Sequence, residues 1–463
     1  MVTVYRDAGT GTQASAVRLF GEKNMKILSI TAQKPHSTGS GTYLTELVRS
    51  WDRAGHSQAV VCGIYPDDSI DFPDGVSCYP VFFKDTAKKD GASATSLFAP
   101  CKAGSEGSAK LRLTYDLPFP ITGMSDIMPY TSTRYRDLTP EMISQFEAAF
   151  IDAVGRAVAD LDPDLIVCHH LFLLTALVRK HFPDRKIFGI SHGSDLRQVV
   201  NCRDLSTAVQ PEIAKLDMAL ALHEAHRTRI HELLELPEDK IQVIGSGYNN
   251  RLFNSDMRAS REDLSLYAEG SPVPVMICYA GKISDAKGVP ELLSALGNLA
   301  EDPEVPFFEA TLAGGCPDSA MQALMDDLPD NINWLGQIPQ DRLADVFRYN
   351  DIFVLPSFYE GLPLVLIEAM ASGMVPVSTD LPGVRPWIES NVPHHNVRFI
   401  PMPEMASVDQ PTEAGRRKFI SDLTDILREL INEIAHPSDD AAPRPDTSGI
   451  TWDGVASRIL ALA

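Results

Sequence analysis

Two glutamates, Glu360 and Glu368, lie eight residues apart in a segment whose pattern places both beside a helix start. Glu360 follows a short apolar run at 351–355, which has the length and composition of a strand. An apolar-periodic segment comes next, with Pro363 near its start and Gly373 just past its end, as is typical of a helix. The sequence therefore predicts Glu360 on a strand-to-helix loop and Glu368 inside the helix.

The start of this helix is a candidate phosphate site, because its first N–H groups have no partner within the helix and its dipole is positive there. At about 1.5 Å per helical residue, the two carboxylates stand on the order of 10 Å apart. That separation matches the distance from a hexose, across a diphosphate, to a ribose. We therefore interpret the pair as a clamp for a nucleotide sugar.

The whole segment 356–379, PSFYEGLPLVLIEAMASGMVPVST, resembles the signature of the family 4 retaining glycosyltransferases. Two glutamates at this spacing would by themselves usually be solvated surface groups, so the resemblance depends on the full string. It implies an α/β protein of the GT-B fold, with two Rossmann-like, doubly wound parallel-sheet domains facing a cleft. It also implies transfer of a sugar from a nucleoside diphosphate sugar, with UDP-sugar favoured, and retention of the anomeric configuration.

The same resemblance implies roles for the residues around the motif. Glu360 would hold the donor sugar as a catalytic residue, and Glu368 would bind the ribose hydroxyls. Four neighbours are expected to bind the donor as well, namely Gly361, Leu362, Leu364 and Val365.

A second segment, 279–288, resembles the Gly-Arg…Lys-Gly element whose cations grip the donor diphosphate in that family. Lys282 stands where arginine is usual, and lysine lacks the bidentate guanidinium fork. Two lysines near a glycine would otherwise be read as solvated charges. On the resemblance, Lys282 and Lys287 are catalytic because they neutralise the leaving diphosphate, and Gly281 binds the donor.

A glycine-rich turn at 37–41 lies between the first predicted strand and the first predicted helix. Position 44 is Leu, so the dinucleotide pattern GxGxxG is not completed. The residues alone support a tight turn and a ligand loop equally. The resemblance favours the ligand loop, and it implies that Gly39 and Gly41 bind the donor and Thr42 the acceptor.

The segment 191–195, SHGSD, resembles the family's His-Gly-x-Asp loop and makes His192 a catalytic candidate that orients the donor sugar. Without the resemblance, a histidine satisfied within its loop is the commoner case. The neighbouring run Cys168-His169-His170 invites a metal interpretation. Consecutive strand residues alternate faces, so we expect at most one of these two histidines at the cleft and no metal site.

Acceptors in this family meet the first domain, so the resemblance implies a pocket formed by 33–43 and an insertion at 66–140. Tyr130 and Arg134 are candidate acceptor-binding residues, although the segment that carries them is equally well explained as a surface turn. The sequence has no Lys/Arg-rich amphipathic helix of the kind that lies on an anionic bilayer. We therefore predict a small soluble acceptor.

Composition narrows the class of protein. A formal charge of −21 argues against nucleic acid or an anionic membrane as the main partner. Seven cysteines without a CxxC pair indicate free thiols in a reducing compartment. No apolar run is long enough to span a membrane, and residues 1–24 lack the apolar stretch of a secretory signal. We expect a cytoplasmic protein without stable membrane association, and a homodimer is compatible with this expectation.

Alternating strand and helix patterns divide the 463 residues into two units. The predicted parts are an extension at 1–24, a Rossmann-like domain at 25–255 that contains the insertion, a second Rossmann-like domain at 270–440, and a helix at 450–463. The resemblance implies that the first domain is on the acceptor side, that the second binds the nucleotide sugar, and that the terminal helix crosses back to the first domain.

Two other functions stay open on the sequence. The chain is alternatively a regulatory module that binds a nucleotide sugar without transfer, or an epimerase or phosphorylase on the same fold. Neither a metal nor another cofactor is expected, because lysines and a helix dipole would neutralise the diphosphate, and the nucleotide sugar is itself a co-substrate.

Overall fold

The computed structural model describes residues 24–86, 115–256, 258, 261, 273–437 and 443–463. The predicted extension at 1–24 lies outside the described residues, except for Asn24. The middle of the predicted insertion, 87–114, lies outside them as well.

The first domain is built on a seven-stranded sheet in which every pair of strands is parallel. The strands of this domain are β1 (Lys26–Thr31), β2 (Ser57–Ile64), β3 (Ser77–Phe82), β4 (Thr122–Gly123), β5 (Thr133–Arg134), β6 (Leu165–His169), β7 (Ile187–Ile190), β8 (Met218–Ala221) and β9 (Ile241–Val243). β4 and β5 form a separate pair, and the others follow the order β3-β2-β1-β6-β7-β8-β9. β3 lies within the predicted insertion at 66–140, where the sequence shows no clear alternation of strand and helix patterns.

Six helices connect and cover these strands within the described residues. They are α1 (Gly39–Arg53), α2 (Pro140–Leu161), α3 (Leu173–His181), α4 (Ser194–Asn201), α5 (Arg203–Ile213) and α6 (Glu224–Leu234). Because helices cover both faces, β6 and β7 are buried along their whole length, which explains their almost continuous apolar sequence.

The second domain repeats this plan with a six-stranded parallel sheet. Its strands are β10 (Val275–Ala280), β11 (Phe308–Ala313), β12 (Ile332–Trp334), β13 (Ile352–Leu355), β14 (Val375–Thr379) and β15 (Arg398–Ile400), in the order β12-β11-β10-β13-β14-β15. Its helices are α7 (Val289–Ala300), α8 (Ser319–Asp326), α9 (Gln340–Arg348), α10 (Leu364–Ala371), α11 (Val384–Asn391) and α12 (Glu413–Ala435). The predicted α/β fold with two parallel sheets is confirmed.

Each sheet reverses its strand order beside its first strand. β1 lies between β2 and β6, and β10 lies between β11 and β13. Open parallel sheets bind ligands at the carboxyl ends of the strands on either side of such a reversal. The segments that leave β1, β6, β10 and β13 are therefore the ones positioned to form a site.

A last helix, α13 (Trp452–Ala461), packs against α1 of the first domain. The ring centroids of Tyr43 and Trp452 are 4.7 Å apart in an edge-to-face arrangement. The indole nitrogen of Trp51 donates to the carbonyl oxygen of Ala456 over 3.3 Å. These contacts join the first domain to a segment that follows the second.

None of the helices in the described part of the chain combines the length and the apolar character that a membrane crossing requires.

Candidate functional site

The loop after β13 and the turn after β10 meet through an ion pair. Nζ of Lys287 lies 2.6 Å from Oε1 of Glu360, and the hydroxyl of Ser357 donates to the same oxygen over 2.9 Å. Both charged side chains are mostly buried, with 24% and 18% exposed. A backbone bond from the N–H of Phe358 to the carbonyl of Ala286 ties the two segments together. Lys287, which is predicted to bind the diphosphate, and Glu360, which is predicted to bind the sugar, are therefore in direct contact.

Glu368 lies inside α10 and is 2% exposed. Nε2 of Gln340 reaches its Oε1 over 3.4 Å, which is a weak contact for a carboxylate. Burial, together with repulsion from Glu46, raises the pKa of Glu368 to about 8. A buried carboxyl group with one weak donor among the described residues is suited to receive hydroxyl hydrogen bonds from a ligand.

Lys282 extends from the end of β10 toward the first domain. Its Nζ donates to the main-chain carbonyl of Ile127 over 2.8 Å. Burial, followed by repulsion from Lys287 and Arg197, lowers the pKa of Lys282 to about 8. The charge of Lys282 is therefore only partly compensated, by Glu360, and an anion placed between these cations would add to this compensation.

The two domains touch directly at Gly361. A Cβ atom added there would lie 2.9 Å from the carbonyl oxygen of His192, so the close approach requires glycine. Beside this contact, the hydroxyl of Tyr359 donates to the carbonyl of Gly193 over 2.8 Å. The loops carrying Glu360 and His192 thus face each other across the cleft.

Arg197 in α4 is a charged residue of this region that the sequence patterns did not single out. Its guanidinium donates to Asp409 of the second domain over 3.1 Å and to Ser125 over 2.9 Å, and it lies 5.7 Å from the ring centroid of Tyr359. Arg197 follows His192 by five positions and lies one turn into α4. This position close to the His-Gly-Ser-Asp loop is the sequence feature that could have indicated it.

His192 is surrounded by other imidazole rings. Its Nε2 lies 3.1 Å from Nδ1 of His169, and its ring centroid lies 4.9 Å from that of His170. Burial lowers the pKa of all three, to about 3 for His169, so the rings are neutral near pH 7. Neutral imidazoles exchange hydrogen bonds with ligand hydroxyls without adding charge.

The expectation that at most one of His169 and His170 faces the cleft rested on strand alternation, which does not hold at His170. It assumed an extended strand through both residues, but His170 has φ 73°, in the left-handed region. That conformation breaks the alternation, and both rings contact His192. Within the described ranges, no three His, Cys, Asp or Glu side chains form a group that could hold a metal ion.

The carboxylate of Asp195 stabilises the loop that carries His192 through hydrogen bonds. It is fully buried and accepts from the N–H of Leu171 over 2.7 Å, from the hydroxyl of Ser191 over 3.0 Å and from the N–H of His192 over 3.2 Å. With these donors, its carboxylate is occupied by the loop itself. Asp195 therefore fixes where the His192 ring lies.

The glycine-rich turn enters α1 earlier than its sequence suggested. The helix begins at Gly39 because Thr38 caps it, accepting from the N–H of Gly41 over 3.2 Å. A Cβ at Gly41 would lie 3.0 Å from the backbone of His36, whereas Gly39 has open space around it. The N–H of Thr42 bonds to the carbonyl of Thr38 over 2.8 Å, so its backbone is satisfied within the helix.

The remaining donor candidates lie at the start of α10 and in the turn after β10. Leu362 is buried, and Leu364 and Val365 are half-buried. The N–H of Gly281 bonds to the carbonyl of Ala313 over 2.9 Å, which joins this turn to the glycines after β11.

The two acceptor candidates within the insertion have different surroundings. Tyr130 is half-buried, its hydroxyl has no hydrogen-bond partner among the described residues, and Nζ of Lys34 lies 5.3 Å from its ring centroid. Arg134 is exposed and pairs with Asp137 over 2.6 Å, within one turn. Only Tyr130 presents an unused polar atom.

Comparisons with known proteins give matches among glycosyltransferases. Residues 271–403 match the family model described as glycosyl transferases group 1. The chain is 28% identical to D-inositol 3-phosphate glycosyltransferase of Nocardia farcinica over 181 residues, which cover 37% of this chain and 39% of that protein. It is 22% identical to N-acetyl-alpha-D-glucosaminyl L-malate synthase of Bacillus anthracis over 323 residues, covering 67% of this chain and 79% of that one. The first of these matches spans about two fifths of the relative's length.

Solved structures are similar over nearly the whole chain. Sucrose-phosphate synthase from Thermosynechococcus elongatus superposes with a TM-score of 0.58 at 16% identity, covering 95% of this chain and 98% of that one. Anabaena HepE in complex with UDP and glucose gives a TM-score of 0.54 at 15% identity, and the superposition covers 94% of this chain and 98% of HepE. WaaG, a glycosyltransferase involved in lipopolysaccharide biosynthesis, gives a TM-score of 0.56 at 12% identity, and the superposition covers 94% of this chain and 99% of WaaG. The chain has the GT-B fold of these proteins.

Proposed function

We propose that this protein is a retaining glycosyltransferase that moves a sugar from a nucleoside diphosphate sugar to a small soluble acceptor. The observation that carries the proposal is the convergence of Lys287 and Glu360, from two different loops, at the domain contact beside His192. A cation for the diphosphate and a carboxylate for the sugar are the two groups that a donor of this class needs at its reacting end.

The donor would lie along the loop and first turns of α10. Glu360 binds the sugar hydroxyls, and Lys287 turns from Glu360 to the diphosphate. Lys282 supplies a second positive charge, and its exchange of the Ile127 carbonyl for a phosphate oxygen is favourable because its charge is poorly compensated. Glu368 accepts the ribose hydroxyls, which replace its single weak donor.

Sugar transfer would proceed without a metal ion. The bond between the anomeric carbon and the diphosphate oxygen breaks, and the departing charge is neutralised by Lys282, Lys287 and the start of α10. The acceptor oxygen forms the new bond on the same face, and its proton passes to a diphosphate oxygen. Neutral His192 orients the sugar from the first domain.

UDP-sugar is the favoured donor, because the relative Anabaena HepE has been solved with UDP and glucose, and its fold is shared. The acceptor would enter from the first domain, beside Tyr130. A small acceptor fits the relatives whose names include D-inositol 3-phosphate and L-malate, and a cytoplasmic location would suit soluble substrates.

A panel of nucleoside diphosphates and their sugars tests the donor assignment by isothermal titration. We expect binding of one diphosphate series, and a smaller loss of affinity than of turnover in Lys287→Ala. Product analysis by NMR then decides the reaction: transfer gives a new glycoside with the donor's anomeric configuration. Conversion of the donor sugar without any acceptor would establish an epimerase, and binding without turnover against a broad acceptor panel would favour the regulatory module.

The acceptor class has its own test. Flotation with anionic vesicles at physiological salt should leave the protein at the bottom of the gradient, because its net charge is −21. Firm association with the vesicles would contradict a soluble acceptor while leaving the donor assignment intact.

A further inference from the structure

We propose that Arg416, on α12, is a positioning residue that holds the turn carrying Lys287 in the geometry needed to meet the donor diphosphate. The inference rests on the proposed function for its catalytic consequence, but its structural part concerns the protein without ligand. Arg416 lies 129 positions from Lys287 in the sequence, and neither resemblance nor spacing assigns it a role.

The contact between α12 and the turn is a bidentate ion pair. Nη1 and Nη2 of Arg416 donate to the two carboxylate oxygens of Asp285 over 3.0 and 2.7 Å. Asp285 is the first residue of the single 3₁₀ turn Asp285–Lys287. A guanidinium fork on a carboxylate fixes orientation as well as distance, so Arg416 determines how this turn is held.

A second carboxylate anchors the guanidinium itself. Nη1 of Arg416 also bonds to Oε1 of Glu291, in the first turn of α7. Glu291 is 1% exposed on its side chain, and its other oxygen has no partner among the described residues. A buried carboxylate with a single cationic partner holds that partner firmly, because separation would leave a buried charge uncompensated.

The opposite side of the turn rests on the loop that carries Glu360. The N–H of Phe358 bonds to the carbonyl of Ala286 over 3.1 Å. Gly288 follows the turn with φ 67°, and a Cβ there would lie 2.1 Å from the carbonyl oxygen of Pro356. The turn is therefore held between Arg416 and the Glu360 loop, with Lys287 as its last residue.

Arg428 provides a matched control on the same helix. It also bonds to two carboxylates, Asp302 over 3.2 Å and Asp425 over 2.7 Å. At about 1.5 Å per residue, it lies roughly 18 Å along the helix from Arg416. Arg416→Lys and Arg428→Lys both keep the charge and remove a guanidinium that bonds to two carboxylates, but only Arg416 forms a bidentate pair with the turn.

The first measurement is hydrogen exchange of the peptide covering 284–288 in the protein without ligand. The N–H groups of Lys287 and Gly288 bond back to Ser284 and Asp285 within the turn, so loosening it exposes them. We expect exchange about tenfold faster in Arg416→Lys and unchanged in Arg428→Lys. Unchanged exchange in Arg416→Lys would overturn the inference, whether or not the protein transfers sugar. If Arg416→Lys folds poorly, Asp285→Asn removes the same fork and is read in the same way.

The second measurement is a double-mutant cycle on turnover. Arg416→Lys should lower kcat by on the order of 10- to 100-fold, because small misplacements of a catalytic group have effects of this size. In a Lys287→Ala background the same substitution should have little further effect, since the group it positions is gone. An equal loss in both backgrounds would contradict positioning through Lys287. Inactive wild-type protein would instead refute the proposed function, and the exchange measurement would still decide the role of Arg416.

Discussion

The hydroxyl of Tyr359 donates a hydrogen bond to the carbonyl of Gly193 across the cleft, over 2.8 Å. The donor belongs to the loop after β13 in the second domain, and the acceptor belongs to the loop after β7 in the first. Because Tyr359 precedes Glu360 and Gly193 follows His192, this bond sets how closely the two proposed sugar-binding groups approach. Closure of the cleft and assembly of the site are therefore linked.

Tyr359→Phe should weaken donor binding without removing any group that contacts the donor. The lost hydrogen bond is worth about 0.5–1.5 kcal/mol, which reduces the closed population and lowers apparent affinity accordingly. Titration calorimetry measures the affinity, and small-angle scattering measures closure. Tyr349→Phe, at the exposed tyrosine that directly follows α9, is the control. Equal affinities for wild type and Tyr359→Phe would show that this bond does not govern closure.

Glu368→Ala should weaken the nucleoside diphosphate and the complete donor to the same extent, since the ribose is common to both. Loss of a charged hydrogen bond costs about 1.5–3 kcal/mol. Titration of both ligands against both proteins tests this. An unchanged affinity for the free nucleoside diphosphate would remove the ribose assignment.

The stability of the free protein should respond to Glu368 in a pH-dependent way. Its pKa is raised from 4.5 to about 8 in the folded state, so between these values the folded protein binds the extra proton. Its contribution to stability therefore falls as pH rises through this window and levels off above about 8. Glu368→Gln removes the dependence, and we expect its Tm to exceed that of wild type at pH 8.5 and to converge with it near pH 5. A constant Tm difference across this range would contradict the raised pKa.

Lys282→Arg should change the alkaline limit of donor binding. The pKa of Lys282 is lowered to about 8, and only its charged form attracts the diphosphate, so wild-type affinity should fall as pH rises above about 8. Arginine stays charged in this range, so Lys282→Arg should retain affinity at pH 9. Titration calorimetry at pH 7, 8 and 9 compares them, with Lys282→Met as the uncharged reference. A parallel alkaline fall in both charged forms would assign the limit to another group.

Lys287→Ala should lower turnover more than donor affinity, because the leaving group gains negative charge in the transition state. Steady-state kinetics separates kcat from KM.

The activity of the wild-type protein should be unchanged in EDTA, because the lysines are expected to neutralise the diphosphate without a metal ion. Loss of activity in EDTA with recovery on adding Mg²⁺ or Mn²⁺ would contradict the metal-free mechanism.

Local patterns were enough to predict the α/β fold and the elements around the motif. Glu360 lies on a loop and Glu368 in a helix as the sequence indicated, because Pro363 and Gly373 mark helix limits through short-range sterics. The roles of both residues stay predictions.

What the sequence could not supply depends on tertiary contact or on a single dihedral angle. Arg197 and Arg416 matter through partners more than a hundred residues away, and nothing near them in the chain records those partners. The strand alternation assumed for His169 and His170 does not hold, because His170 leaves the strand conformation. Gly39 begins α1 because the Thr38 side chain caps the helix, which moved the predicted boundary by three residues.

The packing of α13 on α1 has a consequence for how the chain folds as it is made. Arg53 in α1 pairs with Asp453 in α13, 400 residues later. At ribosomal rates of roughly 5–20 residues per second, α1 waits about 20–80 s for this partner. During that interval the faces of Tyr43 and Trp51 that α13 covers are open to other apolar surfaces. The first domain is thus the earlier part to be synthesised and the later part to be completed.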